Sequence, residues 1–359
     1  MAATLAPQRL GEPSPRLRAL ARGAQAYSAL FAASPAAPYL SRSRPVRRTG
    51  FDLDLVVEST TREVDDVVSF TLRRPDGDPL PAWVPGAHLD LFLPSGIQRQ
   101  YSLCGDPSDL TSYRIAVRRI DEGGGGSLAM HREIAQGDLL TVRGPRNAFP
   151  FIDVESYLFV AGGIGITPIL PMVREASRRG ARWTMVYLGR SLATMPFVSE
   201  LQGLEGGRLE LRPDDEFGVS DAADLLGRAE EGAAIYVCGP PALIDAARAL
   251  QPTLNPTGSL HSERFSAPPV VGGRAFEVHL ERTGVTVPVG ADESALAAIR
   301  REVPGVRYSC QQGFCGSCKH AVLDGEVEHR DTKLRPSERD DSMLICVSRA
   351  AGDSLTIDL

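Results

Sequence analysis

The 359-residue sequence contains no uncharged apolar run of about 18 residues, the length a helix needs to cross a bilayer, so no membrane span is expected. It has no excess of basic residues either. A formal charge of −6 leaves no electrostatic footprint for nucleic acid, which makes proteins and small molecules the expected partners. The evenly spread cysteines of a secreted disulfide framework are also missing, in keeping with a cytoplasmic setting. Four of the six cysteines fall in the last 50 residues, and Cys104 and Cys238 stand alone. The first 50 residues nearly lack acid, with Glu12 set against eight arginines. That stretch reads as an Arg/Ala-rich extension outside the catalytic body. Within it, Ser14-Pro15 marks a helix start that would place Leu17, Leu20, Ala24 and Phe31 on one apolar face. Its weakly apolar residues 24–37 argue against a signal peptide, and its Arg-rich, acid-poor character leaves an organelle transit peptide open.

What is present divides into units. Length and 43% apolar content call for two or three cores. Residues 51–151 carry short alternating segments, such as 51–57 and 67–72, broken by Pro and Gly, the pattern of an antiparallel barrel or sandwich. Residues 152–265 switch to continuous apolar runs at 157–161, 183–188 and 234–238, each followed by a helix-like stretch, as in a doubly wound α/β domain. Residues 266–273 are a Pro/Gly linker by composition. The last unit, 274–359, opens with two alternating strands and a capped helix over 295–301 behind Asp292-Glu293-Ser294. No internal repeat is evident.

Cys310, Cys315 and Cys318 have Cys-x4-Cys-x2-Cys spacing, and Cys346 follows at a distance, the arrangement of plant-type [2Fe-2S] ligation. Four soft thiolates suit iron and sulfide, while Gly313, Gly316 and Ser317 are small enough for a loop to wrap a cluster and aim amides at sulfur. A zinc site is the competing reading, but zinc knuckles usually pair two Cys-x2-Cys units and only one is present. Residues 308–318 together with Leu344-Ile345-Cys346 resemble a plant-type ferredoxin. The resemblance implies an α+β, β-grasp domain with these four cysteines as iron ligands.

Arg99-Gln100-Tyr101-Ser102 follows an apolar strand and resembles the Arg-x-Tyr-Ser signature of ferredoxin–NADP reductase-like flavoproteins. In such a site the arginine clamps a flavin phosphate, the tyrosine ring covers the isoalloxazine, and the serine hydroxyl reaches a polar ring atom. Downstream, Gly125, Gly126 and Ser127 match the family's phosphate-binding element at a helix start, where backbone N–H groups are free to donate. Val117 and Arg118, on the preceding strand, are expected to lie along the flavin. Ala161-Gly162-Gly163-Ile164-Gly165-Ile166-Thr167-Pro168 lacks the G-x-G-x-x-G form and resembles the Gly-Gly-x-Gly-x-Thr-Pro motif of the same reductases. By that resemblance Gly162, Gly163, Gly165 and Pro168 hold the nucleotide, and Thr167 also approaches the flavin. Cys238-Gly239-Pro240 is expected beside the nicotinamide, and Arg190 and Ser191 at the adenosine ribose. His261-Ser262-Glu263-Arg264-Phe265 resembles the terminal His-x-Glu-x-Phe, which would put Phe265 on the flavin and Glu263 beside the hydride path.

An FMN barrel, an NADH domain and a C-terminal ferredoxin, in that order, resemble the phthalate dioxygenase reductase and vanillate demethylase reductase group over residues 51–359. FMN is implied by that architecture, with FAD the alternative. NADH is favoured over NADPH because no second basic residue accompanies Arg190 to hold a 2′-phosphate. Glu263, Cys238 and Thr167 are the residues expected nearest the hydride. The implied activity is electron transfer from NADH through FMN and a [2Fe-2S] cluster to a Rieske-type oxygenase or another one-electron acceptor. A cytochrome P450 partner, or a redox-sensing carrier without turnover, are the alternatives. A flavohaemoprotein would need a globin segment, for which residues 1–50 are too short.

Overall fold

In a computed structural model of the chain, residues 52–121 and 125–359 are described; the helix expected within residues 1–50 lies outside them. Six antiparallel strands come first: β1 (Asp52–Val64), β2 (Val67–Arg73), β3 (Ala87–Phe92), β4 (Gln98–Ser102), β5 (Tyr113–Arg118) and β6 (Leu139–Asn147). They form one sheet in the order β4-β3-β6-β1-β2-β5, and an antiparallel bridge from Leu103 to Ile115 ties its two edges together. The barrel reading therefore holds over the sandwich. Alternation puts Leu55, Val57, Phe70, Leu72, Leu89 and Leu91 inside, each worth about 1.5–3 kcal/mol when fully buried. Helix α1 (Gly126–Glu133) plugs this core with Ala129 and Met130.

The next five strands are all parallel: β7 (Ser156–Gly162), β8 (Arg182–Gly189), β9 (Arg208–Pro213), β10 (Ala234–Cys238) and β11 (Ser259–Glu263), in the order β11-β10-β7-β8-β9. Their continuous apolar runs serve two covered faces. Tyr157, Phe159 and Ala161 of β7 pack with α2 (Ile166–Arg178), and Leu158 and Val160 pack on the other side with Ile244 and Ala247 of α3 (Pro241–Leu254). No helix or strand occupies residues 264–275.

The C-terminal strands are β12 (Phe276–Leu280), β13 (Val285–Val289), β14 (Lys319–Asp324), β15 (Val327–Glu328), β16 (Ser342–Leu344), β17 (Arg349–Ala350) and β18 (Ser354–Ile357). The mixed sheet β13-β12-β18-β14-β16 is grasped by helix α4 (Ala295–Glu302), whose N-cap Ser294 accepts from Ala297 N at 3.1 Å. Between α4 and β14, residues 308–318 form a loop without regular structure, and it faces the barrel.

Candidate redox site

The parallel sheet presents all its strand ends at one edge. The strand order reverses between β7 and β10, since β7 leads to β8 on one side and β10 to β11 on the other. Open α/β sheets bind ligands at such a point, outside the carboxyl ends of the strands. A crevice of about 580 Å³ opens there, lined by Gly162, Gly163, Gly165, Arg190, Gly239 and Pro240 among others. Its floor depends on missing side chains. A Cβ on Gly165 would lie 2.2 Å from the Cys238 carbonyl oxygen, and one on Gly162 would lie 2.6 Å from Pro240 Cδ. The glycine loop and the Cys-Gly-Pro turn can therefore approach each other closely.

Three residues expected at this crevice turn elsewhere. Thr167 is buried and its hydroxyl donates to Ile164 O at 3.0 Å, so it braces the loop and does not line the crevice. Pro168 is likewise buried, inside the first turn of α2. Ser191 accompanies Thr194 in capping the single turn Leu192–Thr194, leaving Arg190 as the one of the expected pair that lines the crevice.

On the barrel, period-two alternation sends Arg99 and Tyr101 to one face of β4 and Gln98, Gln100 and Ser102 to the other. A Cβ on Gly126 would lie 2.4 Å from Arg99 Nε, so the Arg99 side chain rests on the first turn of α1, behind left-handed Gly125 at φ 73°. A guanidinium against a helix N-terminus is a cradle for a phosphate. Burial pushes the Tyr101 phenol up to about 12, so its ring stays neutral. The Ser127 hydroxyl accepts from Ile120 N at 3.1 Å, tightening the turn into α1. Val117 points into the barrel core, and the backbone alternation that hides it turns Arg118 outward. Arg118 itself joins two units: its Nε lies 3.1 Å from Asp66 Oδ2 and its Nη2 donates to Thr194 O at 2.6 Å.

Glu263 ends β11, paired in register with Cys238. The residue keeps some exposed surface, yet its Oε2 is sealed from solvent and has no partner. Burial raises its carboxyl to about 8, only partly opposed by a hydrogen bond with Ser102. Burial, reinforced by the Glu263 charge, likewise pushes the Cys238 thiol well up, which makes it a neutral packing group and not a nucleophilic thiolate. A second cavity of about 200 Å³ brings Arg99, Ser102, Glu263 and Phe265 together with Cys310 and Phe314. Phe265, 54% exposed, lines both cavities.

In the cysteine loop the thiols lie as two neighbouring pairs, Cys310 beside Cys315 and Cys318 beside Cys346. Among the described residues, no three His, Cys, Asp or Glu side chains converge as one ion would require. Two thiol pairs fit a two-iron cluster, with two thiolates per iron, better than a single tetrahedral ion. Gln311, Gly313 and Gly316 adopt φ of 56°, 78° and 79°. These left-handed turns aim amides inward: Gln312 N donates to Cys310 Sγ at 3.3 Å and Ser317 N to Cys315 Sγ at 3.4 Å. Such bonds help set a cluster's potential.

The comparisons with known proteins agree with this geometry. Residues 278–351 match the family described as 2Fe-2S iron-sulfur cluster binding domain. Over 314 residues the chain is 40% identical to the phenoxybenzoate dioxygenase subunit beta of Ectopseudomonas oleovorans, covering 86% of this chain and 97% of that protein. The solved structure of phthalate dioxygenase reductase, described as a modular structure for electron transfer from pyridine nucleotides to [2Fe-2S], is 36% identical with a TM-score of 0.65. It covers 86% of this chain and 98% of that one. The chain belongs to the phthalate dioxygenase reductase family. As a member of that family it is an oxidoreductase that passes electrons from NADH through FMN to a [2Fe-2S] cluster. It is also 38% identical, with a TM-score of 0.68, to an intact type IV self-sufficient cytochrome P450 monooxygenase, where it spans 91% of this chain but only 45% of that longer one. No helix among the described residues is long and apolar enough to cross a membrane.

The structure adds to the phthalate dioxygenase reductase motifs several residues that no motif marks. Asp331 is buried beneath the cysteine loop, where its Oδ2 accepts from Leu334 N at 2.7 Å and Thr332 N donates to Gly313 O at 3.2 Å. Asp90, Gln98, Gln100 and Arg146 contact the same loop from the barrel. The only trace of Asp90, Gln98 and Gln100 in the sequence is polar residues at alternate positions of β3 and β4, which reads as a solvated face until another domain is known to cover it.

Proposed function

We propose that this chain is the reductase component serving a Rieske-type oxygenase, with residues 51–151 holding FMN, 152–265 holding NADH and 274–359 holding the cluster. The observation that carries the division of labour is Phe265, shared by the nucleotide crevice and by the smaller cavity that ends at Cys310. Gly162, Gly163, Gly165, Gly239 and Pro240 bind the dinucleotide, with Arg190 at its ribose. Asp214 and Asp221, which also line the crevice, repel a 2′-phosphate and favour NADH. Arg99 with Gly125 and Gly126 clamps the flavin phosphate, while Tyr101, Ser102 and Phe265 position its ring. Cys238 packs against the nicotinamide as a neutral thiol. Glu263, protonated near neutral pH and joined to Ser102, holds a proton at its carboxyl beside the reacting ring. When bound, the flavin supplies the conversion between a two-electron hydride and the single electrons a [2Fe-2S] cluster accepts. Cys310, Cys315, Cys318 and Cys346 ligate the cluster, and the one-electron acceptor protein meets this loop. A reducing cytoplasm suits the free thiols.

A cytochrome P450 partner is the second reading, favoured by the likeness to the self-sufficient monooxygenase. The test replaces Cys318 by Ala. Reduction of a one-electron protein acceptor should be abolished while NADH–ferricyanide turnover persists; equal loss of both would overturn the proposed order. Supplying a Rieske oxygenase or a P450 as acceptor separates the partners.

A further inference from the structure

Asp90 is completely buried on the face of β3 turned away from the barrel core. A carboxylate taken out of water is costly unless it is paired, so its presence there needs a reason. Its partners supply one. Across the β3–β4 register it stands opposite Gln100, whose Nε2 donates to Asp90 Oδ1 at 2.8 Å and to Ser309 Oγ at 2.5 Å. Ser309 Oγ in turn lies 3.4 Å from Asp90 Oδ1. On the other side Arg146 Nη1 lies 3.0 Å from Asp90 Oδ2 as an ion pair, without a hydrogen bond to that oxygen, and donates to Ser317 Oγ at 3.2 Å. Ser309 immediately precedes Cys310, and Ser317 sits between Cys315 and Cys318. One buried carboxylate thus organises the two barrel side chains that hold both ends of the cysteine loop. Gln98 extends the contact, donating to Tyr308 O at 2.9 Å and accepting from the Tyr308 hydroxyl at 3.1 Å.

We propose that Asp90 is a positioning residue for electron transfer: through Gln100 and Arg146 it fixes the serines flanking the cluster ligands, so that the flavin barrel itself sets the cluster's seat and its distance from the flavin site. Within the Arg-Gln-Tyr-Ser motif, the residue that the flavin signature leaves open, Gln100, is the one that reaches the cluster loop.

The proposal rests on the reductase reading, and the test keeps the two apart. Asp90→Asn keeps the side-chain size and removes the charge. In the full-length holoprotein, amide hydrogen exchange across residues 308–317 should quicken roughly tenfold, the weight of one charge-assisted hydrogen bond, while exchange in the parallel sheet stays unchanged. The electron paramagnetic resonance spectrum of the reduced cluster should shift. NADH should bleach the flavin at the wild-type rate, with the following reduction of the cluster slowed. Wild-type loop exchange together with a wild-type cluster spectrum would overturn the proposal. If Asp90→Asn does not fold, Ser309→Ala carries the same test, because it deletes only the hydroxyl at the loop end, and unchanged exchange there is equally fatal. The exchange arm requires no cluster signal, so it judges Asp90 even if the reductase reading fails.

Discussion

Glu263 shows how much a single side chain's surroundings decide. The sequence places it beside the hydride path only by resemblance; its sealed Oε2 and its Ser102 partner supply the physical content. Because its folded-state carboxyl is raised to about 8, above the ordinary value of 4.5, the folded protein binds the proton more tightly than the unfolded chain. The stability this contributes is whole below about pH 4.5 and is lost as pH climbs to about 8. Glu263→Gln removes the titration, so its unfolding midpoint should gain on wild type steadily across that window; parallel midpoints would contradict the burial argument. Gly165→Ala is a second residue-scale prediction. The new methyl would meet a backbone carbonyl at 2.2 Å, so the glycine loop or the Cys238 turn must move. Strain of about 1–3 kcal/mol is expected, with weaker NADH binding measured by titration. The cysteine spacing and the glycine motifs were legible because their chemistry is local in the chain. For Val117, Thr167 and Ser191 the motif names neighbours in sequence and not the direction each side chain takes: Val117 packs in the barrel core, Thr167 braces the glycine loop and Ser191 helps cap a short turn.

At the scale of elements, apolar alternation located the strands but not their lengths. β1 runs to Val64, well past the apolar segment 51–57, because its exposed second half, around Glu58 to Thr61, pairs with β2 in a hairpin. Backbone pairing of that kind leaves no hydrophobic trace. The parallel strands β7, β8 and β10 were read well, since burial on both faces enforces unbroken apolar runs, whereas the edge strands β9 and β11 are only partly buried and carry no such run. The docking of β4 on α1 yields a third prediction. Gly126→Ala would drive a methyl into the Arg99 side chain, which must swing away and take the phosphate clamp with it. The purified variant should carry several-fold less FMN, quantified by released flavin absorbance, while its C-terminal domain keeps full iron content; undiminished FMN would remove Arg99 and α1 from the phosphate site.

Across the whole molecule, the units are joined by polar contacts that no motif records. Glu200, on the short helix Val198–Gln202 of the nucleotide domain, pairs with Arg114 of β5 and with Arg174 of α2, and Arg174 Nη1 also donates to Cys104 O at 3.1 Å. Glu200→Ala would leave two arginines facing each other. A loss of about 1–2 kcal/mol is expected for these mostly buried groups, measured by urea denaturation, and the loss should shrink at high salt. Domain order was readable from shifts in pattern, whereas docking was not, because the residues that form it look like ordinary surface polarity. The account's central claim is the order of electron flow, and an anaerobic NADH titration followed by visible absorbance tests it most directly. Flavin and iron–sulfur bands should bleach together in wild type, with FMN as the released flavin. A flavin that bleaches while the iron–sulfur band stays oxidised, or a protein inert to NADH, would contradict it.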